Sequence, residues 1–287
     1  MAHGIFGYTL VPDSYYEAII SWFSRRHLWN IQKDWILYTS GVVPAISCCL
    51  KAICMPGEKV LVQTPVYNCF FSCIRNSGCE VIENELKRVG NCTYEIDFED
   101  FERKCADEKT TAFLLCNPHN PAGRVWKKEE LERMSNICQK HGVKVIADEI
   151  HCELIMPGYQ YTPFASINEA CRDNCVVLNS PSKSFNIAGL QVSNIFIPNN
   201  NLRRLFRNQV AAAGYSQVNT LGLVACQAAY TYGEDWLQQA KAYIENNIKF
   251  VDAYLKQNLP QIKLLRPEGT YLVWLDCSAL GLTAAER

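Results

Sequence analysis

The chain has 287 residues, of which 48% are hydrophobic and 20% are charged, with 15 cysteines and a formal net charge of −1. This composition suits a folded protein with one substantial core and excludes a disordered or fibrous chain. No segment concentrates lysine and arginine, so the sequence predicts no nucleic-acid partner and no binding to anionic membranes.

Short, continuous apolar runs alternate with longer amphipathic segments in the first two thirds of the chain. Such runs are typical of strands that are buried on both faces of a sheet. The predicted strands cover residues 59–63, 111–116, 143–147 and 175–178. Residues 129–141 have helical periodicity and end before Gly142, a helix stop signal. These repeated strand–helix–strand units predict an α/β fold with a mainly parallel sheet.

After Pro198 the pattern becomes helical, with predicted helices over residues 201–213, 218–232 and 235–259 that lead away from the sheet. Residues 269–275 then read as a strand that has no visible partner. Because a single strand is not stable alone, we expect a second, smaller α/β domain that is incomplete within this sequence.

The N-terminal residues lack the basic and hydrophobic regions of a secretory signal. The most apolar stretch, residues 42–50, ends at Lys51 and is far shorter than the ~20 residues that span a bilayer. The cysteines form no Cys-x-x-Cys pair, so we expect reduced thiols that act as small buried hydrophobes, and no metal site. These features predict a cytoplasmic protein.

The segment Ser180-Pro181-Ser182-Lys183-Ser184-Phe185-Asn186 directly follows a predicted strand. Strand ends in open α/β sheets are where ligands bind. A lysine amine there can form an imine with an aldehyde cofactor, while neighbouring hydroxyls bind its phosphate. Taken alone, a Ser-Lys pair is more often part of a solvated loop.

Two other strand ends carry polar residues of the same kind. Asp148 ends one strand, where a buried carboxylate could pair with a protonated pyridine nitrogen. After another strand, prolines and a glycine in the segment 117–123 force a turn that could aim the Asn120 amide at a ring hydroxyl. The sequence therefore predicts that three strand ends converge on one site.

The motifs Asn-Pro-x-Asn-Pro-x-Gly, Asp-Glu-Ile-His and Ser-x-Ser-Lys-Ser-Phe-Asn, in this order, resemble the class I and II aminotransferase-like (fold type I) enzymes that use pyridoxal 5'-phosphate (PLP). The chain is most similar to the cystathionine β-lyase and cysteine-S-conjugate β-lyase branch. The resemblance extends from His3 to Asp276. It implies a three-layer αβα PLP-binding large domain over residues 1–233, followed at 234–287 by a linking helix and part of a truncated small C-terminal domain.

The resemblance also implies roles for individual residues around the cofactor ring. Lys183 is the Schiff-base lysine and proton shuttle, Asp148 pairs with the pyridinium nitrogen, and Asn120 donates to the ring oxygen. Tyr67 stacks on the ring face, although an ordinary core aromatic is the alternative for this residue. His151 stands where aminotransferases carry a tyrosine near the ring oxygen; a histidine is the form of the lyase branch, with a structural role as the alternative.

For the phosphate, the resemblance implies a helix N-terminus at Gly41, Val42 and Val43, with hydroxyls from Ser180 and Ser182. Tyr8 matches a tyrosine that reaches the phosphate of the neighbouring subunit, which implies a homodimer; a packing role is the alternative for Tyr8. Eight residues after Lys183, aminotransferases carry an arginine, and this chain has Gln191. That departure favours the lyase branch.

The expected reaction is β-elimination from cystathionine or a cysteine S-conjugate, which gives a thiol, pyruvate and ammonia. One alternative is an aminotransferase that uses the same residues. Another is a PLP-binding protein with little catalysis, because the chain begins later and ends earlier than the family pattern. No arginine, including Arg266 and Arg287, can be assigned to the substrate carboxylate.

Overall fold

The structure is a computed structural model that describes residues 4–5, 7–90, 93–214 and 217–282. Within these residues the helices are α1 (Asp13–His27), α2 (Val42–Ile53), α3 (Cys69–Asn76), α4 (Phe98–Cys105), α5 (Lys128–Lys140), α6 (Glu169–Asp173), α7 (Pro181–Ser184), α8 (Asn200–Ala212), α9 (Thr220–Tyr232) and α10 (Glu234–Asn258). None of these helices is both long and apolar enough to cross a bilayer.

The strands in the same ranges form one large sheet and two short hairpins. They are β1 (Ile36–Thr39), β2 (Lys59–Thr64), β3 (Glu80–Glu85), β4 (Lys87–Val89), β5 (Thr93–Glu95), β6 (Thr110–Cys116), β7 (Lys144–Asp148), β8 (Cys175–Asn179), β9 (Ser193–Phe196), β10 (Lys263–Leu265) and β11 (Trp274–Asp276). The four strands predicted from apolar runs are present as β2, β6, β7 and β8, and each end differs from the prediction by at most one residue.

The central sheet has seven strands in the order β1-β9-β8-β7-β6-β2-β3. Strand β9 runs antiparallel to both of its neighbours, β1 and β8, and the remaining strands are parallel to one another. The prediction of a mainly parallel sheet is therefore confirmed. Because β6, β7 and β8 are adjacent and parallel, their carboxyl ends meet at one edge of the sheet.

Helices cover both faces of this sheet, so the three-layer αβα prediction is also confirmed. Leu61 and Phe113 point to one face and pack with buried residues of α1, α4, α5 and α9. Val60 and Leu114 point to the other face and pack with α2, α3 and α8. Successive strand residues are thus buried on opposite sides, which explains why these strands read as continuous apolar runs.

The prediction that the helices after Pro198 lead away from the sheet is wrong for α8 and α9. Leu202 and Phe206 of α8 are buried in the layer that contains α2. Leu223 and Cys226 of α9 are buried in the layer that contains α1. Both helices bury an apolar face against the main core, and only α10 contributes to a separate small cluster, which includes Ile248, Leu255 and Leu264.

The C-terminal strand also differs from its prediction. It begins at Trp274 rather than 269, and it has a partner, because Leu275 of β11 lies opposite Leu264 of β10 in an antiparallel pair. Thr270, with φ 72°, lies in the left-handed region, which prevents an extended strand from passing through it. A domain boundary at residues 233–234 stays a prediction.

Candidate active site

A cavity of about 430 Å³ opens where β6 and β7 end. This carboxyl edge is the usual ligand-binding edge of an open α/β sheet. The residues that line the cavity are Gly41, Val42, Val43, Pro44, Tyr67, Cys116, Asn120, Asp148, Ile150, His151, Ser182, Lys183, Ala188, Tyr271 and Leu272. Of the predicted site residues, the structure brings all but Ser180 and Tyr8 to this lining.

Lys183 is held in the cavity by the single turn of α7. The hydroxyl of Ser180 caps this turn by accepting the amide of Ser182 at 3.0 Å, and Pro181 occupies its first position. A serine cap followed by proline is a strong helix start signal. The serine hydroxyl accepts a free backbone N–H at the helix N-terminus, and proline has no N–H that needs an acceptor. The segment thus fixes the backbone from which Lys183 extends.

Ser180 lies outside the cavity lining, so its predicted phosphate role stays a prediction. Its side chain is buried, and its hydroxyl donates to the carbonyl of Val192 at 2.7 Å in addition to capping α7. Both interactions are internal, so in this chain the hydroxyl stabilises the turn that carries Lys183. Tyr8 is 95% exposed and lies outside the lining of the cavity of its own chain.

Asp148 is a buried carboxylate that lacks a cation in direct contact. It is 5% exposed, and burial raises its pKa to about 7. The amide of Ile150, 3.2 Å from Oδ1, and the charge of Lys183 oppose this rise only in part. Among the residues that the structure describes, no ion pair reaches Asp148. A ligand with a protonated ring nitrogen would stabilise the ionised carboxylate here.

The turn after β6 positions Asn120. The backbone amide of Asn120 donates to the thiol sulfur of Cys116 at 3.3 Å. Gly123 closes the turn with φ 73°. His119 is buried, which lowers its pKa to about 4, so the ring is neutral. Its Nε2 lies 2.9 Å from the carbonyl of Pro65 and must be the donor, because a carbonyl only accepts. This bond ties the Asn120 turn to the loop that carries Tyr67.

Tyr67 presents a neutral aromatic ring to the cavity. A hydrogen bond with the Cys69 thiol is the largest factor that raises its pKa, to about 12, and burial adds to it. The ring also makes an edge contact with Phe70, with 6.0 Å between the ring centroids. The ring lies at the cavity, where the prediction of a stacking residue requires it.

The N-terminus of α2 contributes an anion-binding end. The first-turn amides of Val42 and Val43 have no intrahelical acceptor, as in any helix. Gly41 precedes the helix and offers no side chain to cap them. Pro44 has no N–H to add. Free amides and the positive end of the helix dipole together favour a phosphate or carboxylate.

His151 also lines the cavity. Burial, with a smaller contribution from the charge of Lys183, lowers its pKa to about 4, so the ring is neutral. Its Nδ1 is buried and has no hydrogen-bond partner in the described part of the chain. The ring of Tyr271 lies against it, with centroids 5.4 Å apart and planes at 52°.

Several lining residues were not predicted from the sequence. Cys116 and Ile150 adjoin the recognised motifs and could have been included from their positions alone. Tyr271 and Leu272 were assigned to a strand, and their place in the site depends on contacts with residues more than 100 positions away. No local pattern signals such a contact.

These residues fit a cofactor with three chemical features. Lys183 supplies an amine for an aldehyde, Asp148 a buried anion for a cationic ring nitrogen, and the amides of Val42 and Val43 an anion site for a phosphate. The raised pKa of Asp148 is the observation that tests the fit, since a buried carboxylate without a cation is a costly arrangement that such a ring would relieve. PLP has all three features.

A separate cluster of side chains that could hold a metal contains His27, Cys152 and Glu153. One carboxylate oxygen of Glu153 lies 2.7 Å from both His27 Nε2 and Trp22 Nε1, and the other lies 2.7 Å from Arg26 Nε. Burial opposes ionisation of Glu153, but His27 and Arg26 outweigh it and lower the pKa to about 2. The carboxylate already has a full set of donors, so we interpret the cluster as structural.

Comparison with known proteins adds two sequence similarities. A family model described as aminotransferase class I and II matches residues 3–286. A cystathionine β-lyase, PatB of Bacillus subtilis, is 42% identical over 284 residues, which cover 99% of this chain and 73% of that relative.

Two solved structures have the same fold. A PLP-bound putative aminotransferase from Clostridium difficile 630 has a TM-score of 0.97 and 42% identity, covering 99% of this chain and 73% of the other. A PLP-bound C-S lyase from Staphylococcus hominis has a TM-score of 0.90 and 35% identity, covering 96% and 70%.

Proposed function

The chain belongs to the class I and II aminotransferase family, and from this premise we propose that it is a PLP-dependent carbon–sulfur β-lyase. It cleaves cystathionine or cysteine S-conjugates to a thiol, pyruvate and ammonia. The observation that carries this proposal is the joint presence of Lys183, Asp148 and the free amides of α2 in one cavity. The 42% identity to a cystathionine β-lyase over nearly the whole chain supports the reaction.

Lys183 would attach the cofactor, and five further residues would hold it. The amides of Val42 and Val43, together with Ser182, would bind its phosphate, Asp148 would pair with its ring nitrogen, and Tyr67 would cover one ring face. Asn120 and His151 lie in the same lining and stay predicted ring contacts. When bound, PLP supplies an electron sink for the charge left on the substrate α-carbon.

Lys183 carries the proton transfer in this proposal. Its Nζ takes the proton from the α-carbon of the substrate, the carbon–sulfur bond at the β-carbon then breaks with departure of the thiolate, and Nζ returns the proton to the sulfur to give the thiol. Water hydrolyses the resulting 2-aminoacrylate to pyruvate and ammonia. Asp148 assists by keeping a negative charge next to the ring nitrogen throughout the reaction.

Two further parts of the proposal concern assembly and location. We propose a homodimer in which Tyr8 of each copy reaches the cavity of the other, and the high exposure of Tyr8 in one chain supports this arrangement.

We also propose a cytoplasmic location, because the cysteines of the described residues are all free thiols.

An aminotransferase is the second candidate, because one similar structure is that of a putative aminotransferase. The two reactions differ in what they need. A β-lyase releases pyruvate from cystathionine with no added keto acid, whereas an aminotransferase turns over only when a keto acid accepts the amino group. Pyruvate measured with and without added keto acid therefore separates the candidates.

The substitution Lys183→Ala tests the assignment of the lysine. We expect pyruvate release to fall by at least ~1000-fold, because both the cofactor attachment and the proton carrier are lost. Borohydride reduction of the wild-type chain with PLP, followed by peptide mapping, should label Lys183. Lys249→Ala, at an exposed position on α10, is the matched control and should keep wild-type activity. Substantial lyase activity in Lys183→Ala, or label spread over surface lysines, contradicts the proposal.

A further inference from the structure

The segment of residues 267–272 is hydrogen-bonded to the loops that follow β6 and β7. The amides of Glu268 and Gly269 donate to the carbonyl of Gly123 at 2.8 and 3.1 Å, and the amide of Thr270 donates to Leu154 at 2.7 Å. The Glu268 carboxylate accepts from Arg124 Nε at 3.0 Å and from the Val125 amide at 2.8 Å. A segment far away in the sequence is thereby fixed beside two loops of the site.

The backbone of this segment turns its next two side chains into the cavity. Thr270 is fully buried with φ 72°, a conformation that β-branched residues rarely adopt. Its hydroxyl accepts the amide of Leu272 at 3.1 Å, which closes the turn. Tyr271 and Leu272 consequently line the cavity instead of continuing a strand. A strained turn that persists at a site points to a function for the residues it presents.

Tyr271 lies at the open side of the cavity. It is 41% exposed, whereas Asp148 is buried and Lys183 is half-buried. The ring packs against His151, whose neutral imidazole supports it from the buried side. Tyr271 and Leu272 therefore form a mostly apolar wall between the reacting groups and solvent, with no charged side chain of its own.

We propose that Tyr271, together with Leu272, contacts the sulfur substituent of the substrate and selects leaving groups with an apolar or aromatic body. This inference rests on the proposed β-lyase function. The amino-acid end of the substrate is engaged by Lys183 and the polar end of the cavity, so its β-substituent extends toward the open side. An aromatic wall there stabilises a flat or apolar substituent more than a small one.

The test compares two substrates that differ only in the leaving group, S-benzyl-cysteine and S-methyl-cysteine. For Tyr271→Ala we expect kcat/KM to fall by about tenfold or more for the benzyl substrate and by less than about twofold for the methyl substrate. Tyr271→Phe keeps the ring and should retain the wild-type preference. Tyr159→Ala is the control, because Tyr159 is similarly exposed at 46% but lies outside this cavity.

Calorimetric binding provides a readout that does not depend on turnover. The ligands are 3-(benzylthio)propionate and 3-(methylthio)propionate, which lack the amine needed for reaction with the cofactor. Tyr271→Ala of the PLP-loaded enzyme should weaken binding of the benzyl compound alone. An equal loss for both substituents, or binding of both compounds as in the wild type, overturns the inference. If the wild type releases pyruvate from neither substrate, the proposed function fails, and the binding comparison still decides the role of Tyr271.

Discussion

Two carboxylates five residues apart, Asp148 and Glu153, are both buried, yet their pKa values move in opposite directions. Burial raises the pKa of Asp148 to about 7, since its opposing interactions are one amide and the nearby charge of Lys183. Glu153 is buried to a similar degree, but His27 and Arg26 outweigh the burial cost and lower its pKa to about 2. The number and charge of the partners, and not burial itself, separate the two regions.

The difference distinguishes a site from a structural cluster. Glu153 has donors from three side chains and is complete within the chain. Asp148 faces a cavity and is completed only by a ligand that brings positive charge. A buried carboxylate without a cationic partner therefore indicates a binding site when it also lies at a strand end in a cavity.

The largest effect that tests this comparison is expected for Asp148→Asn. An amide cannot balance a cationic ring nitrogen, so we expect pyruvate release to fall by about 100- to 1000-fold. Without the cofactor, the thermal stability at pH 8 should rise, because the variant no longer buries an uncompensated charge. The measurements are kcat with PLP and the melting temperature without it.

The matched control for Asp148→Asn is Asp252→Asn, which removes a carboxylate from the surface of α10. It should change neither quantity appreciably. If Asp148→Asn keeps more than half of the wild-type activity, the pairing of Asp148 with the cofactor ring is wrong.

Glu153→Gln tests the other half of the comparison. The substitution leaves Arg26 and His27 without their buried anion, and breaking a buried pair of this kind costs about 3 kcal/mol or more in the free energy of unfolding. Activity per folded molecule should stay close to wild type, because Glu153 does not line the cavity. Urea denaturation followed by circular dichroism measures the first quantity.

Glu132→Gln is the control for Glu153→Gln, since Glu132 pairs with Lys128 only at the surface. It should change the free energy of unfolding by less than about 0.5 kcal/mol. A loss below about 1 kcal/mol in Glu153→Gln would show that the cluster contributes little to stability.

The sequence predicted the parts of this site that depend on local structure. Asn120, Asp148 and Lys183 each follow an apolar strand, and parallel neighbouring strands bring such residues together without further information. The four buried strands were predictable for the same reason, because each apolar run is continuous.

Features that depend on distant contacts were not predictable. Tyr271 reaches the site because the residues just before it hydrogen-bond to Gly123 and Leu154. Glu153 is paired with Arg26, which is 127 residues away. The hydroxyl of Ser180 donates to the carbonyl of Val192, a contact that the motif does not reveal. In each case the contact depends on how the chain folds and not on the spacing of residues within a motif.

Glu149 provides the smallest test, because it is intermediate between Asp148 and Glu153. It accepts hydrogen bonds from the Tyr161 hydroxyl and the Phe164 amide but has no cationic partner among the described residues. Burial therefore dominates and raises its pKa to about 8, against an ordinary value of 4.5. A carboxyl with a raised folded-state pKa binds its proton more tightly when folded, so its contribution to stability is complete below pH 4.5 and is lost as pH rises through about 8.

This loss of stability at high pH predicts how Glu149→Gln differs from the wild type. Without cofactor, the melting temperatures of wild type and Glu149→Gln should be similar near pH 5, and by pH 9 the variant should exceed wild type by about 2–4 °C. Other titrating groups cancel in the difference between the two chains, except Asp148, whose charge contributes to the raised pKa of Glu149. Parallel pH profiles would mean that neutral hydrogen-bond donors alone stabilise a buried carboxylate, in which case the absence of a cation beside Asp148 would no longer indicate a binding site.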